Sequence, residues 1–548
     1  MRNHYNLKCL LLSCLCLLGI FSASAQNSRI TGKVTDSGSG TPLPGVNVVV
    51  KGTTSGTITD GEGAYALEAP SDATLLFSSI GYTSIEVAIG GRSVIDLQLQ
   101  EDVKALDEIV VVGYGTQEKK NLVGAVASIS SERIGGRPVA SAEQALVGLT
   151  PGLNVAQPGA SPGDLATINI RGIGSISAGY SPLFVIDGYP TDQRNFAAIN
   201  PRDIESIEVL KDASATAIYG SRGANGVILV TTKAAKEGKS QITVGLTTGV
   251  ANVPESARPE LLNAAEYVQY YKESYTNRGL AIPSAITNWD GKTDTNWQDV
   301  VYRSAAFQDL NISASGGTDK VSYLISGNYI NQDGVVIGEG QKKYSLRMKV
   351  DYRPSSKLTF GMMIAPNITN IKRSSPAPED GNDWASANSL AYLLPPILPV
   401  TRPDGTYANG TDLGYGFPLA NPLELQQEYQ RTTDLFRMLA NSYASLEITK
   451  GLVFRTSLGL NFSSDKNRLY YDAPGPRQSL PNVSTLQLGQ SNEVGWLSES
   501  TLSYKRVFAT DHSIDALVGY TAQKNNSDVL NASVSSLGVI GPHIAFVG

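Results

Sequence analysis

From Gln241 onward the chain alternates. Ile242, Val244, Leu246 and Val250 take every second place, with polar or small residues between them. The same period of two returns at Leu310, Ile312 and Ala314, and at Val321, Tyr323 and Ile325. It is plainest at Leu346, Met348, Val350 and Tyr352, which are separated by Arg347, Lys349 and Asp351. Later runs centre on Phe360, Met362 and Ile364, on Leu446 and Ile448, on Leu458 and Leu460, on Leu502 and Tyr504, and on Ile514 and Val518. Successive side chains of a strand point to opposite faces, so each run predicts a strand with one apolar and one polar face. About nine such strands of about ten residues fit a membrane β-barrel, with lipid outside and water or a plug inside. A soluble sandwich with its apolar face inward has the same period. The connections separate the two. Tight links at Gly316 to Lys320, Pro354 to Lys357, Lys450-Gly451 and Val507 to Asp511 alternate with long ones at about 251–306, 330–343, 369–433 and 463–493. Short turns at one end and long loops at the other are the barrel pattern.

The preceding residues read differently. Short apolar runs at Ile30–Val34, Val46–Val50, Ala64–Leu67, Thr74–Ser78, Thr83–Ala88 and Val94–Leu99 are split by turn residues. About seven short strands at this spacing predict a small antiparallel sandwich over 26–101. Residues 121–238 read as mixed α/β. Ser141 caps a short helix to Val147, and a second helix, Asp212–Tyr219, ends at Gly220. Phe184–Asp187, Ile204–Leu210 and Val227–Thr232 are strands. Between these domains, in 102–120, Asp107 and Glu108 precede the extended run Ile109-Val110-Val111-Val112, and Gly113 and Gly115 flank Tyr114. This is either one more buried strand or a segment that adds to another protein's sheet edge.

Composition narrows the class. A chain of 548 residues holds several domains. With 17% charged residues and mean hydropathy of -0.10, it is neither disordered nor a helical membrane protein. The 54 glycines, and 25 tyrosines against 12 phenylalanines, suit an all-β protein with many turns. A net charge of -6 argues against nucleic acid as a partner. At the start, Arg2 and Lys8 flank the apolar run Cys9 to Ile20, which is too short to span a bilayer as a helix. Ala23-Ser24-Ala25 then reads as a cleavage site that leaves Gln26 first, so 1–25 is a signal peptide. Leu11-Leu12-Ser13-Cys14 loosely matches a lipobox, but the apolar run continues past Cys14. Cys9, Cys14 and Cys16 are the only cysteines, so the mature chain is expected to have no disulfides.

Catalysis and cofactors find no support. His512 and His543 lack zinc-ligand spacing, and Asp60 with Glu62 reads as a solvated hairpin turn rather than a calcium site. Gly172-Ile173-Gly174 lacks the lysine of a phosphate loop. Asp187 and Asp203 read as turn-capping or solvated carboxylates, with no nucleophile–base pair near them in sequence. The expectation is a non-enzyme with no metal and no cofactor.

Longer motifs carry a family resemblance. Ile30-Thr31-Gly32-Lys33-Val34, Pro44-Gly45-Val46 and Gly56-Thr57-Ile58-Thr59-Asp60-Gly61-Glu62-Gly63-Ala64-Tyr65 resemble the carboxypeptidase-regulatory-like domain. Leu106-Asp107-Glu108-Ile109-Val110-Val111-Val112-Gly113-Tyr114-Gly115-Thr116-Gln117 resembles the TonB-box region of SusC/RagA-type TonB-dependent transporters. The segments Ile168-Asn169-Ile170-Arg171-Gly172, Pro182-Leu183-Phe184-Val185-Ile186-Asp187-Gly188, Asn200 to Asp212 and Ala217 to Lys233 resemble that family's plug, in order and spacing. The resemblance implies a mainly β fold: a β-sandwich, an α/β plug, and about nine strands of an incomplete antiparallel transmembrane β-barrel over 239–548. It implies an outer-membrane receptor that imports a nutrient, typically a glycan or peptide, with a SusD-like surface lipoprotein. The TonB box is then Asp107, Glu108, Ile109, Val110, Val111, Val112, Gly113 and Tyr114, its partner TonB with the inner-membrane energising complex, and the barrel's outer face meets outer-membrane lipid. Tyr407, Tyr415 and Phe417 are candidate loop aromatics for stacking on sugars, with loop packing as the alternative. A plugged lumen goes with about twenty-two strands, more than this chain supplies. No closing strand precedes Phe546-Val547-Gly548. The expectation is about half a transporter, and a non-transporting binding or adhesion module, or an inactive fragment, is the competing reading.

Overall fold

The computed structural model describes residues 27–535, apart from 54, 80–81, 101–108, 113–114, 119–125, 138, 158–160, 176–178, 235–237, 375–385, 415–418, 472–483 and 509–511. The Ala25/Gln26 junction, Asp107, Glu108, Gly113 and Tyr114 of the box, and the aromatics Tyr415 and Phe417 lie outside the described residues. The chain divides into two compact units, the first ending in the region of residues 110–122.

The first unit holds strands β1 (Asn27–Asp36), β2 (Asn47–Val50), β3 (Gly56–Ile58), β4 (Ala64–Pro70), β5 (Thr74–Ser78), β6 (Ile85–Ala88) and β7 (Leu97–Leu99). They form two sheets, β4-β1-β7 and β3-β2-β5-β6. Along β4, Tyr65, Leu67 and Ala69 are buried while the residues between them are exposed. Ile30, Val34, Val48, Leu75, Phe77 and Leu99 fill the space between the sheets, and Tyr65 meets Phe77 edge-on at 5.5 Å. Gly32 is required: a Cβ there would lie 1.9 Å from the Ile95 carbonyl oxygen. The Asp60 carboxylate accepts the N–H groups of Glu62 (3.0 Å) and Ala64 (2.9 Å), which ties the predicted tight turn. Farther on, β8 (Ile109–Val112) and β9 (Gly115–Glu118) pair as a two-stranded ladder.

The second unit begins with a plug. Its strands are β10 (Val126–Ser130), β11 (Leu153–Ala156), β12 (Thr167–Ile170), β13 (Leu183–Ile186), β14 (Tyr189–Thr191), β15 (Ile204–Leu210) and β16 (Val227–Thr232). Five of them form a mixed sheet in the order β10-β15-β16-β13-β14, with β13 and β16 parallel. Both faces of this sheet are covered, so β13 and β16 are continuous apolar runs rather than alternating ones. Phe184, Ile207, Val209, Ile228 and Val230 pack on one side, and Leu183, Val185, Leu210 and Leu229 on the other. The predicted helices are present but shorter, at Ala142–Ala145, where Ser141 accepts the Gln144 N–H, and at Ala213–Thr216. The chain after the latter turns at Gly220, φ 58°.

The wall is nine antiparallel strands paired in sequence order: β17 (Gly238–Ala251), β18 (Ala305–Gly317), β19 (Val321–Asp333), β20 (Gly340–Ser355), β21 (Leu358–Arg373), β22 (Tyr429–Thr449), β23 (Leu452–Tyr471), β24 (Thr485–Phe508) and β25 (His512–Ser535). The faces separate as the alternation predicts. Ile312, Ile325, Met348, Val350 and Met362 point outward and are exposed, whereas Asp309, Lys343, Arg347 and Asp351 are buried on the inner, plug-facing side. Val350→Arg is expected to destabilise the protein in a bilayer by about 2–4 kcal/mol, because it places a charge in hydrocarbon. Lys349→Glu, on the opposite face, is expected to be tolerated. Equal yields of folded barrel from the two variants would contradict this assignment of faces.

Two features depart from the sequence reading. The strands exceed ten residues, and β24 and β25 reach 24 each. The extra length lies at the long-loop end, where Thr432, Thr433 and Asp434 of β22 pair with Arg468, Asn467 and Lys466 of β23. There both faces are polar, so the period of two fades while the ladder continues. The link expected at 330–343 contracts to residues 334–339, closed by a 2.9 Å bond from Gly334 N–H to the Glu339 carbonyl. The remaining long links carry structure of their own. Asn263 and Glu266 form a capping box on the helix Ala264–Asn277, and Trp297, Leu390, Leu394, Leu398 and Leu425 make a separate apolar cluster.

Candidate functional site

Polar contacts join the plug to the wall beside an apolar seam made by Met363, Leu439 and Leu497. At the centre stands Arg347 on β20, 4% exposed. Its guanidinium donates to the Thr232 hydroxyl and, at 2.9 Å, to the Lys233 carbonyl, and lies 4.0 Å from the Asp187 carboxylate. Asp187 sits in an Asp-Gly turn between β13 and β14 with φ 47°, followed by Gly188 at φ 89°. Positive φ at both central residues is the tight hairpin geometry that an Asp-Gly pair accepts. That turn aims the carboxylate back at β16, where it accepts the Thr232 N–H at 2.9 Å and the Thr232 hydroxyl. Asp203 is also buried, and burial pushes its carboxyl above the usual carboxylate range against the opposing pull of Arg347. The sequence reading of Asp187 and Asp203 as turn-capping or solvated groups is thus half right: Asp187 does cap a turn, but neither is a solvated surface group, because the wall supplies a cation to both.

Other contacts continue the pattern. Lys343, also buried on β20, donates to the Ala197 carbonyl at 2.8 Å. Asn367 on β21 donates to the Ala198 carbonyl at 3.2 Å, and Asn441 on β22 to the Asp187 carbonyl at 3.1 Å. Salt bridges of both polarities cross the interface: plug Arg202 with wall Asp309 at 2.9 Å, and plug Asp164 with wall Arg373 at 2.5 Å. Glu143 of the plug accepts from Gln193 and from the Ala166 N–H, and burial raises its carboxyl too. Tyr189 lies against Gly459 and Gly495 of the wall; a Cβ at 459 would come within 2.3 Å of the ring. Sequence placed Arg347 and Lys349 on the inner face but left the partners of Arg347 unidentified, since they lie more than a hundred positions earlier in the chain.

The coupling segment is extended as predicted at Ile109–Val112, with β9 beside it. Of the loop aromatics, Tyr407 accepts from Gln427 Nε2 at 3.0 Å and bridges to Thr401, so it packs the loop. Sequence reasoning missed another aromatic set. Tyr267 and Tyr271 stack at 4.4 Å on the helix Ala264–Asn277, and Tyr271 and Tyr275 lie 6.1 Å apart. Their spacing of four, after an Asn-x-x-Glu start, was the available signal. Tyr267, Trp297 and Tyr392 line a cleft of about 740 Å³ between the two longest links.

Comparison with known proteins bears on this architecture. The TonB-dependent Receptor Plug Domain profile matches residues 118–227, and the CarboxypepD_reg-like domain profile matches 30–111. TonB-dependent receptor P26 of Formosa agariphila is 36% identical over 517 residues, covering 93% of this chain and 50% of that protein. TonB-dependent receptor SusC of Bacteroides thetaiotaomicron is 37% identical over 330 residues, covering 58% of this chain and 32% of that protein. The RagAB peptide importer in its open-open state superposes with a TM-score of 0.68 at 25% identity, covering 78% of this chain and 50% of that one. The chain is a SusC/RagA-type TonB-dependent receptor. It spans about half the length of the curated relatives it matches. The receptor's nine-strand sheet is the kind of wall these barrels have, and its plug packs against the inner face.

Proposed function

We propose that this receptor is an outer-membrane importer energised through TonB, which carries a glycan or peptide inward together with a SusD-like surface lipoprotein. The observation that carries the reading is a plug seated against a barrel wall by a group of hydrogen bonds and ion pairs around Arg347. Polar contacts of this kind exchange for water without large loss, so a pull on the plug can release them. The relatives are named as TonB-dependent receptors, and one structural neighbour as a peptide importer. In this reading 1–25 is an export signal, 26–101 a periplasmic sandwich, 102–120 the coupling segment, 121–238 the plug and 239–548 barrel wall. Asp107, Glu108, Ile109, Val110, Val111, Val112, Gly113 and Tyr114 form the TonB box. The tight turns face the periplasm and the long links face outward, and the outward row of Met348 and Val350 meets lipid. The receptor acts by binding and moving its cargo, with no chemistry on it.

Two measurements test this. N-terminal sequencing of the protein from purified outer membranes is expected to begin at Gln26, and a start at Met1 or Cys14 would contradict the export reading. Uptake of tagged oligosaccharides and peptides by cells with the receptor is expected to vanish when TonB is deleted; uptake that persists would exclude energised import.

A further inference from the structure

The space between plug and wall is not closed evenly. Three cavities follow one another along β20, β21 and β22, in the middle of the nine-strand sheet. The first, about 70 Å³, lies towards the long-loop end at Lys343 and Thr369. The second, about 50 Å³, lies at Ser345 and Arg347. The third, about 340 Å³, lies towards the tight-turn end at Lys349, Asn441 and Tyr443. Neighbours share walls: Ala198, Asn367 and Arg437 line both the first and the second, and Met363 lines both the second and the third. Along β20 the inward positions from Gln341 to Asp351 therefore step through all three spaces.

We infer that cargo crosses this receptor along β20–β22, between the wall and the plug, through a passage that these three cavities outline in its closed form. The inference rests on the import reading above and adds the route. Two constrictions interrupt the passage. One is the Ala198–Asn367 contact, a single hydrogen bond of 3.2 Å. The other is the group formed by Arg347, Asp187 and Thr232 beside Met363. Both join plug to wall, so a displacement of the plug away from β20–β22 opens them together. The wall lining sets the cargo's chemistry. Lys343, Arg347, Lys349, Arg437 and Arg455 line the passage against one wall acid, Asp351, and Asp465 behind the lining neutralises Arg437. The remaining excess is positive once the plug acids Glu143, Asp164, Asp187 and Asp203 move with the plug. A slender chain rich in acceptor oxygens, passing end-on, suits such a surface.

The three cysteines of the sequence all precede residue 17, so single cysteines report cleanly. Thr369→Cys, Ser345→Cys and Lys349→Cys mark the three cavities, and Ser313→Cys on β18 marks an inward position off the route. The full-length protein in whole cells is treated with a membrane-impermeant maleimide, with and without TonB. Expected is TonB-dependent labelling at 369, 345 and 349 and none at 313, with labelling at 345 abolishing the uptake of tagged oligosaccharides and peptides that this variant shows beforehand. Equal labelling at 313, as when the whole plug leaves, overturns the route. So does undiminished uptake after labelling at 345. Failure of the cysteine-free parent to take up any of the probe mixture would instead remove the import reading, and the route with it.

Discussion

Val111→Pro is expected to abolish energised uptake, while Val111→Ala is expected to reduce it only moderately. Val111 lies within β8, an extended run that already pairs as a strand. A partner that adds to this run gains its affinity from main-chain hydrogen bonds, so truncating one side chain removes little. Proline removes a backbone donor and fixes φ near −65°, which breaks the ladder at its centre. Ligand binding at the outer face is expected to be unchanged in both variants, which separates a coupling defect from misfolding. Asp107 and Glu108 are expected to speed association with a basic partner, an effect that added salt weakens. Wild-type uptake by the Val111→Pro receptor would show that coupling lies elsewhere.

Arg347→Met is expected to loosen the plug. The substitution keeps most of the side chain's bulk but leaves the half-buried Asp187 and the buried Asp203 without their shared cation. Removing one partner of a buried ionic group costs about 3–5 kcal/mol, because the charge left behind is uncompensated. The expected readout is rapid proteolysis within residues 121–238 of the detergent-purified receptor, with the wall staying intact. Adding Asp187→Asn is expected to restore part of the protection, since an amide still accepts the Thr232 N–H and no longer needs a cation. A plug as resistant as wild type in the single variant would mean that Arg347 does not hold it.

The wall was legible because one physical constraint acts on every residue of it. Each inward place meets the plug or water and each outward place meets an apolar medium, so Met348 and Val350 against Arg347 and Lys349 identify faces directly. That constraint lapses beyond the apolar band, so the ends of β22, β23 and β24 read as loops although their ladders continue. Helices inside the two longest links escaped notice because their apolar residues face one another instead of a common core, with only the Asn263–Glu266 box to announce the first of them. Asp187 and Asp203 show a different limit. Local sequence states the turn that holds Asp187, while its burial depends on a strand laid down much later in the chain. A carboxylate's setting is therefore unreadable until its cation is known.

The plug's apolar core is not self-sufficient. Met363 of β21, Leu439 of β22 and Leu497 of β24 belong to the same buried cluster as Phe184, Ile207 and Ile228. Because each wall strand pairs with its neighbour in sequence, the wall can be laid one hairpin at a time, and the plug segment is synthesised before any of it. The plug alone is thus an unfinished surface, whose core closes only with the inner faces of β21, β22 and β24 against it. Plug and wall are in this sense one interior, and either without the other would lack part of its core.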